Sequence, residues 1–353
     1  MFVLSSGTQI NRPNYLPRGC HSLASAVKTI PGLMSTPTLR LGTRGSLLAK
    51  TQSQLIASAL EKLHKDIGLV VELVIFKTQG DVIQNKPLYE FGGKGVFTQE
   101  LERALLSNEI DFAVHSFKDV PVTMPLVDQS DLTFAAVPQR EDPRDVLISR
   151  KAKSIAELPA GAKVGTGSLR RRCQLLHHRP DLVIEPVRGN IDTRLRKLRD
   201  GHFDAVILAA AGLRRTGLFD ETEMIMLETT EILPAPGQGA LAIQCRKDDQ
   251  RMIDLLAPIN HVDSQITVSA ERGIVQALNG DCHSPIAALA TIEGENLHLR
   301  VAVGARDGQP PLLCAAGSVA ISNAPDAVAS AVQALTLQGV VQMLAGPDSS
   351  TNG

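Results

Sequence analysis

One short pattern occurs twice in this chain of 353 residues, and it limits the folds that the chain can adopt. Leu41 to Leu47 reads LGTRGSL and Val164 to Leu169 reads VGTGSL, so each stretch joins an apolar run, a Gly-Thr turn and a serine. A serine directly before a helical run is a typical N-cap, because its side-chain oxygen accepts a hydrogen bond from the helix backbone. Either two glycine-rich loops coincide, or two similar α/β units each present a helix N-terminus to a shared cleft.

Basic residues crowd the second copy of the pattern. The run Arg170 to Arg172 lies in the first turn of the predicted helix, Arg188 precedes a second helix start at Gly189, and Arg194 lies one turn inside that helix. A helix N-terminus carries roughly half a positive charge, so a cation there loses about 0.3–1 kcal/mol where an anion would gain it. We therefore expect a missing anionic ligand that carries several carboxylates or phosphates.

The overall charge argues against a protein that binds nucleic acid. The chain has 36 Lys and Arg residues against 37 Asp and Glu, so the arginine cluster is a local feature of a nearly neutral protein. It has no Trp and two Tyr, whereas proteins that bind nucleic acid are usually basic and stack aromatic side chains on the bases. No apolar run approaches the roughly 18 residues of a membrane span. We expect neither a nucleic-acid partner nor a membrane.

The N-terminal segment is set apart by its composition. Residues 1–37 contain no Asp or Glu, several serines, and the basic residues Arg12, Arg18 and Lys28, which resembles an organellar transit peptide. The alternatives, which we favour, are a disordered extension or a true start at Met34. The five cysteines are widely scattered without a metal-binding spacing, which indicates a reducing compartment. We predict a cytoplasmic protein, or a plastid protein if residues 1–37 are a transit peptide.

Strand and helix patterns divide the rest of the chain into three domains. Apolar strand runs alternate with amphipathic helices, which is typical of α/β sheets, and two charged or Pro-rich segments predict crossings between the first two domains. A half-exposed antiparallel strand from Leu297 to Val303 and a final helix from about Pro325 to Leu344 indicate a small α+β domain at the end. The predicted limits are 38–138 plus 240–257 for domain 1, 144–233 for domain 2, 139–143 and 234–239 for the crossings, and 262–346 for domain 3.

Two stretches near strand ends are candidates for the site. Residues 78–95 are polar, Gly-rich and aperiodic, and long loops of this kind inside a compact domain are often lids. Lys118 and Asp119 follow a short strand and precede Pro121, so they lie at a carboxyl end, where active-site groups are common. On position alone, a helix cap or an ion pair with Lys118 explains Asp119 at least as well as catalysis does.

Nine segments together resemble the hydroxymethylbilane synthase family, whose members are also called porphobilinogen deaminases. In chain order they are LGTRGSLLA, GGKGVFTQELE, FAVHSFKDVP, REDPRD, VGTGSLRRRCQL, VRGNIDTRLRKL, ILAAAGLRR, LPAPGQGA and LNGDCHSPI. They keep the family's order and extend over about residues 38–290. One segment alone would be a weak signal, whereas this many in order is specific.

The resemblance implies a fold, a cofactor and a reaction. The first two domains would be alike, doubly wound and similar to periplasmic binding proteins, with a cleft between them. Domain 3 would carry a dipyrromethane cofactor, attached to Cys282 through a thioether. The enzyme would be a transferase of porphyrin and haem biosynthesis that condenses four porphobilinogen molecules head to tail, releases ammonia, and frees the linear tetrapyrrole hydroxymethylbilane. We expect a monomer with porphobilinogen as its small-molecule partner and without a metal.

The family's functional positions match individual residues of this chain. Asp119 matches the catalytic carboxylate, which would stabilise the cation left when porphobilinogen loses ammonia, and this replaces the interpretation from position alone. Each pyrrole ring carries an acetate and a propionate, and guanidinium groups bind carboxylates in a bidentate manner. The positions that would bind cofactor and substrate are Arg44, Ser46, Lys94, Lys118, Thr166, Ser168, Arg170, Arg171, Arg188, Arg194, Arg215 and Gln238.

Two other classes of function are weighed against this one. A non-enzymatic binding protein for a dicarboxylate or phosphate would use the doubled helix termini but neither Asp119 nor Cys282, and would be expected to carry a secretion signal, which residues 1–37 do not resemble. A hydrolase with a Cys282–His283 pair is geometrically poor, because adjacent residues on an extended turn point apart.

Overall fold

The computed structural model describes residues 37–77, 98–122, 131–281 and 284–345. The predicted lid, Lys94, Cys282 and the N-terminal segment before residue 37 lie outside the described residues.

Thirteen strands and nine helices are described. In chain order the strands are β1 (Thr38–Arg44), β2 (Val70–Phe76), β3 (Phe112–Ser116), β4 (Leu132–Ala136), β5 (Asp145–Ser149), β6 (Lys163–Gly165), β7 (Val183–Glu185), β8 (Ala205–Ala209), β9 (Met224–Met226), β10 (Leu241–Arg246), β11 (Ile286–Glu293), β12 (Asn296–Val303) and β13 (Leu313–Ala320). The helices are α1 (Leu47–Leu63), α2 (Gln99–Leu106), α3 (Leu169–His178), α4 (Ile191–Arg199), α5 (Ala210–Arg215), α6 (Gln250–Leu256), α7 (Val262–Ala277), α8 (Ala324–Leu337) and α9 (Val340–Ala345). Within the described residues, none of these helices combines the length and the apolar character needed to cross a bilayer.

Two five-stranded sheets share one topology. The first has the strand order β2-β1-β3-β10-β4 and the second has the order β7-β6-β8-β5-β9. In each sheet the first three strands are parallel and the fourth runs antiparallel to both of its neighbours. That fourth strand is in both cases the first one after the chain arrives from the other sheet. The two sheets are therefore built alike, which confirms the prediction of two similar α/β units.

The doubled sequence pattern occupies equivalent places in the two sheets. β1 and β6 each lie second in the strand order, and each is followed by a helix that a serine caps. The predicted Gly-Thr turn of the first copy is wrong, because Gly42 and Thr43 pair with Val74 and Ile75 inside β1, whereas in the second copy the strand ends at Gly165. We call the first sheet with α1, α2 and α6 the first lobe, and the second sheet with α3, α4 and α5 the second lobe. The limits of the domains stay predictions.

Each lobe buries a core of its own. In the first lobe, Leu41 of β1, Leu60 of α1 and Phe112 of β3 are fully buried together. In the second, Val164 of β6 and Ile207 of β8 are fully buried in a separate cluster. Burying a side chain of this size contributes about 1.5–3 kcal/mol relative to exposure, so each lobe has its own source of stability.

The third unit, formed by β11 to β13 with α7, α8 and α9, differs in detail from the sequence prediction. Its sheet is antiparallel in the order β11-β12-β13, and the small, largely exposed residues of β13 gave no strand pattern. Instead of one final helix there are two, because Gly339 adopts a positive φ of 89° between α8 and α9. The short strand β9 was also missed, since three residues show no periodicity.

The two predicted crossing segments lie side by side and are joined to the third unit. The Glu141 amide donates to the Gly239 carbonyl (3.2 Å), and Arg140 Nε donates to the Gln238 carbonyl (2.8 Å). The Arg140 guanidinium also forms a bidentate pair with Glu271 of α7, with distances of 2.6 and 2.9 Å. Because Glu271 accepts from the Gly237 amide as well (2.7 Å), α7 is bonded to both crossings.

We expect Gly239→Ala to destabilise the protein more than Gly217→Ala. Both glycines have a positive φ, +86° and +68°, where a residue with a Cβ loses about 1–2 kcal/mol. At Gly239 the new Cβ would also collide with the Glu141 carbonyl, whereas at Gly217 nothing lies within 4 Å. This overpacking should add about 1–3 kcal/mol, measured by urea unfolding. Equal losses in the two variants would show that the crossings do not depend on their close contact.

Candidate active site

A cleft of about 550 Å³ lies at the carboxyl ends of strands from both lobes. Its walls are formed by residues that follow β1, β3 and β8 and by the start of α4. The predicted site residues that line it are Arg44, Ser46, Lys118, Asp119, Arg171, Arg188, Arg194 and Arg215. Thr166, Ser168, Arg170 and Gln238 do not line it, and Lys94 and Cys282 lie outside the described residues.

Both predicted serine caps are present, and they shape the loops beside the cleft. Ser46 Oγ accepts from the Ala49 amide (3.3 Å), and Ser168 Oγ accepts from the Arg171 amide (3.4 Å). Thr166 Oγ1 accepts from the Ser168 amide (3.2 Å), which fixes the turn that precedes α3. Thr166 and Ser168 thus hold backbone in the structure, and contacts of their side chains with a ligand stay predictions.

A buried carboxylate that the sequence analysis overlooked meets the arginines of α3. Asp145, fully buried at the start of β5, accepts from Arg170 Nη2 (2.8 Å) and from Arg171 Nε and Nη2 (3.1 and 2.7 Å). Burial alone would raise the pKa of the Asp145 carboxyl, yet the charges of Arg170 and Arg171 bring this pKa well below its usual range. The protein therefore supplies a counter-charge for Arg170 and Arg171 itself, which the sequence analysis did not anticipate, and the binding of a ligand by these arginines stays a prediction.

Gln238 connects this buried cluster with the first lobe. Its Nε2 donates to Asp145 Oδ1 and to the Pro143 carbonyl, both at 2.7 Å, and its Oε1 accepts from Lys118 Nζ at 3.3 Å. Lys118 itself lines the cleft. Burial lowers the pKa of Lys118 from 10.5 to about 8, so its charge depends on pH near neutrality. Gln238 thus links Lys118 of the first lobe to Asp145 of the second lobe.

Three further arginines of the cleft, Arg188, Arg194 and Arg215, form no ion pair with a described carboxylate. Arg194 Nε donates to the Gly189 carbonyl (2.8 Å) and Arg215 Nη2 donates to the Gly239 carbonyl (2.7 Å). In the described ranges, neither these two arginines nor Arg188 has a carboxylate within 4 Å. Burial, followed by the charge of Arg171, lowers the pKa of Arg194 to about 10, and it is still charged at neutral pH. An anionic ligand would complete this site.

Asp119 is one of two acidic residues among the cleft-lining side chains, the other being Asp192. It ends a 3-10 turn, Phe117–Asp119, that directly follows β3. Its carboxylate neither caps a helix nor pairs with Lys118 in the part of the chain that the structure describes, so both of the structural explanations left open by the sequence are absent there. The carboxylate is therefore available to a ligand.

Sequence reasoning also missed two charges of α7, one buried and one half-buried. Glu271, fully buried, and Arg272, which contacts the turn before Val120, were read as ordinary helix residues. The sequence did contain a signal for the burial of Glu271. Val268, Glu271 and Val275 lie three and four positions apart, on one buried face of the helix, where a charge needs a partner.

Comparison with known sequences identifies the family. A family model described as porphobilinogen deaminase, dipyromethane cofactor binding domain, matches residues 39–254, and one described as porphobilinogen deaminase, C-terminal domain, matches residues 265–313. A porphobilinogen deaminase from Roseiflexus sp. (strain RS-1) is 46% identical over 272 residues, which cover 77% of this chain and 88% of the relative. The chain belongs to the porphobilinogen deaminase family.

Similar solved structures include periplasmic proteins. A Salmonella typhimurium periplasmic binding protein with high arginine specificity is 17% identical, with a TM-score of 0.37 over 63% of this chain and 91% of that chain. The periplasmic VFT2 domain of Bordetella pertussis BvgS is 14% identical, with a TM-score of 0.35 over 63% and 86% of the two chains. The fold of this chain is defined by the strand order that its two five-stranded sheets share.

Family membership decides between the functions considered above. The match over residues 39–254 is to the domain that binds the dipyrromethane cofactor, so the prediction of this cofactor is confirmed. The prediction of a porphobilinogen deaminase, a transferase of porphyrin biosynthesis, is confirmed in the same way and is favoured over the non-enzymatic binding protein. The roles of individual site residues stay predictions.

We expect Asp145→Asn to destabilise this porphobilinogen deaminase by about 3–5 kcal/mol, because it leaves Arg170 and Arg171 buried without a counter-charge. Urea unfolding of the purified variants would measure the loss. Glu185→Gln is the control, since it breaks the exposed Lys163–Glu185 pair (3.3 Å), and pairs of this kind contribute at most about 1 kcal/mol. Similar stabilities of the two variants would contradict the structural role of Asp145.

Proposed function

We propose that this chain condenses four porphobilinogen molecules head to tail into hydroxymethylbilane within the described cleft, on a covalently attached dipyrromethane. The observation that carries the proposal is the balance of charge in the cleft. Seven lysine and arginine side chains line it against two aspartates, and one of the two, Asp119, forms no hydrogen bond or ion pair with a described side chain. A chain of pyrrole rings that bear acetate and propionate groups has the complementary charge.

The arginines would bind the carboxylates of the rings. Backbone carbonyls hold Arg194 and Arg215 by one guanidinium nitrogen each, so the remaining N–H groups of each fork are available. A planar fork pairs with a carboxylate through two parallel hydrogen bonds, which gives both affinity and orientation. Arg188 and Arg44, on opposite sides of the cleft, would bind further carboxylates as the chain grows.

Asp119 would act at the reacting ring. When the C–N bond of the aminomethyl group breaks, ammonia leaves with the electron pair and the pyrrole takes up positive charge. A carboxylate beside the ring N–H stabilises this charge, most strongly in a site with little water. The same carboxylate would take part in the proton transfer that completes the new C–C bond. Lys118 would not neutralise Asp119 permanently, because its ammonium is bonded to Gln238.

Cys282 would attach the dipyrromethane, and the cleft suits this group because its cationic lining matches the carboxylates of two pyrrole rings. When bound, the dipyrromethane supplies the free pyrrole carbon to which the first substrate unit is added. Among the described cysteines, Cys173 and Cys245 are buried, and burial raises their pKa to about 12 and about 11. Thiols of this kind are poor nucleophiles, which favours Cys282 in the polar segment after α7.

The remaining assignments follow from the way in which the site is built. Both walls of the cleft come from one chain, which supports a monomer. Its ligand would be porphobilinogen, and we propose no nucleic-acid partner, since the positive charge lies inside a concave site. Location in the cytoplasm stays a prediction from the sequence.

We expect purified protein to exceed the mass of its sequence by one dipyrromethane unit and to form hydroxymethylbilane. Cys282→Ser should lose the added mass, because the thioether has no sulfur. Asp119→Asn should retain the added mass in a fraction of the molecules but lose about 10²–10⁴-fold in turnover, since the charge of the carboxylate is gone. Intact-mass spectrometry and a product assay measure the two effects separately.

Cys314→Ser is the matched control, because Cys314 is an exposed cysteine in the same third unit. It should retain both the added mass and the turnover. Unmodified wild-type protein that still forms hydroxymethylbilane would disprove the attachment, and a wild-type rate in Asp119→Asn would remove this residue from the chemistry.

We also expect kcat/KM for porphobilinogen to fall as the pH rises through about 8. The pKa of Lys118 is lowered by burial to about 8, so its positive charge is present below that pH and lost above it. Since kcat/KM reports on the free enzyme, loss of the ammonium weakens the capture of carboxylates. Lys118→Arg keeps the charge and should move the decline to higher pH in a profile at constant ionic strength. An unmoved profile would assign the decline to another group.

A further inference from the structure

An arginine of the third unit lies behind the turn that carries Asp119. Arg272 of α7 donates from Nη1 to the carbonyls of Phe117 (3.0 Å) and Val120 (2.9 Å). Its Nη2 donates to the Pro121 carbonyl (3.1 Å). The guanidinium carbon also lies 4.3 Å from the centroid of the Phe117 ring, within the range of a cation–π contact. One side chain thus binds the backbone on both sides of Lys118 and Asp119.

This placement is costly for a charged side chain. Burial alone lowers the pKa of Arg272 to about 10, and no described carboxylate compensates for the lost water. A buried cation is tolerated only where other groups satisfy its N–H donors. Here three carbonyls and one aromatic face do so. An apolar side chain would fill the space at lower cost but would remove the described donor of the Val120 and Pro121 carbonyls, whereas the Phe117 carbonyl would still accept from the Val120 amide (3.3 Å).

The helix that carries Arg272 is joined to the rest of the site at several points. The preceding residue, Glu271, binds Arg140 of the first crossing and the Ala290 amide of β11. α7 ends at Ala277, and the four residues 278–281 connect it to position 282. Fixing the turn to α7 therefore also fixes Asp119 relative to the segment that leads to Cys282.

We propose that Arg272 is a positioning residue for Asp119. By binding the carbonyls that flank the Lys118–Asp119 pair, it holds the turn against α7 and sets the direction of the Asp119 carboxylate without touching the substrate. The proposal rests on the proposed function of Asp119 and deepens it. Because a displacement of about 1 Å at a reacting group can lower a rate about 100-fold, loss of this contact would reduce turnover and leave the carboxylate-binding arginines in place.

The test measures kcat and KM for the wild type, Arg272→Met and Arg272→Lys. Both constants are calculated per mole of enzyme that carries dipyrromethane, a fraction that intact-mass spectrometry gives. We expect Arg272→Met to lose about 10- to 100-fold in kcat with less than about a threefold change in KM. Arg272→Lys keeps the charge but not the planar fork, so it should lie between the wild type and Arg272→Met. Arg306→Met is the control, since Arg306 is an exposed arginine of the same unit and should keep the wild-type kcat.

A second measurement separates positioning from a structural role. Combined with Asp119→Asn, Arg272→Met should cause no further loss of kcat, because the group that it positions is already gone. A residue that only stabilises the fold would lower the yield of loaded enzyme and the melting temperature, and would lower any residual kcat equally in both backgrounds.

Each outcome decides one proposal. A wild-type kcat in Arg272→Lys, in Arg272→Met, or in both would overturn the positioning role, and so would equal losses in the two backgrounds. If Arg272→Met does not fold, Arg272→Lys alone decides, since its kcat must fall. A failure of the proposed function is distinct from these results: there the wild type and Arg306→Met would form no hydroxymethylbilane, or Asp119→Asn would be fully active.

Discussion

Buried positive charge is the constraint on which the rest of this structure depends, and the ion pairs of Asp145 show how it is met. A guanidinium removed from water needs a carboxylate or several carbonyls around it, since an unpaired buried charge costs several kcal/mol. Asp145 meets this need for Arg170 and Arg171, and Glu271 meets it for Arg140. In the cleft, Arg194 and Arg215 are bonded to carbonyls instead, and these single bonds leave other N–H donors for carboxylates that arrive with the ligand.

The doubled lobes explain why these charges face one another. In each lobe the strand that contains the first glycine of the repeated pattern lies second in the sheet and is followed by a serine-capped helix, so equivalent loops face the cleft twice. The chain makes two crossings because it leaves the first lobe after β4 and returns to it for β10, and the two crossings are in contact with each other. Gln238, in the second crossing, is therefore within reach of Lys118 in one lobe and Asp145 in the other. A site that lengthens a polyanion needs both walls at once, and the crossings hold the walls together.

What the sequence could predict here was local. The strand, turn and serine cap lie within a few residues of each other, so short patterns identified both helix starts, and the ordered motifs identified the family. The partners of the buried charges could not be predicted, because Arg140 and Glu271 are 131 residues apart and local sequence patterns do not show which distant charges come into contact. The counter-charge of the α3 arginines was missed for this reason, and their binding of a ligand stays a prediction. The local electrostatics were sound, but Asp145, 25 positions upstream, provides the anion.

These contacts also account for the freedom of Asp119. An acidic side chain in a cleft rich in arginine would ordinarily be neutralised by the nearest cation, and its orientation would then depend on that ion pair. Here the neighbouring lysine is bonded to Gln238, and the turn itself is held through its carbonyls by Arg272 from behind. The position of Asp119 is therefore fixed through the backbone of its turn, and not through a salt bridge of its side chain. A carboxylate that is oriented and yet unbonded is what stabilisation of a transient cation requires, because its full charge is then available to the substrate.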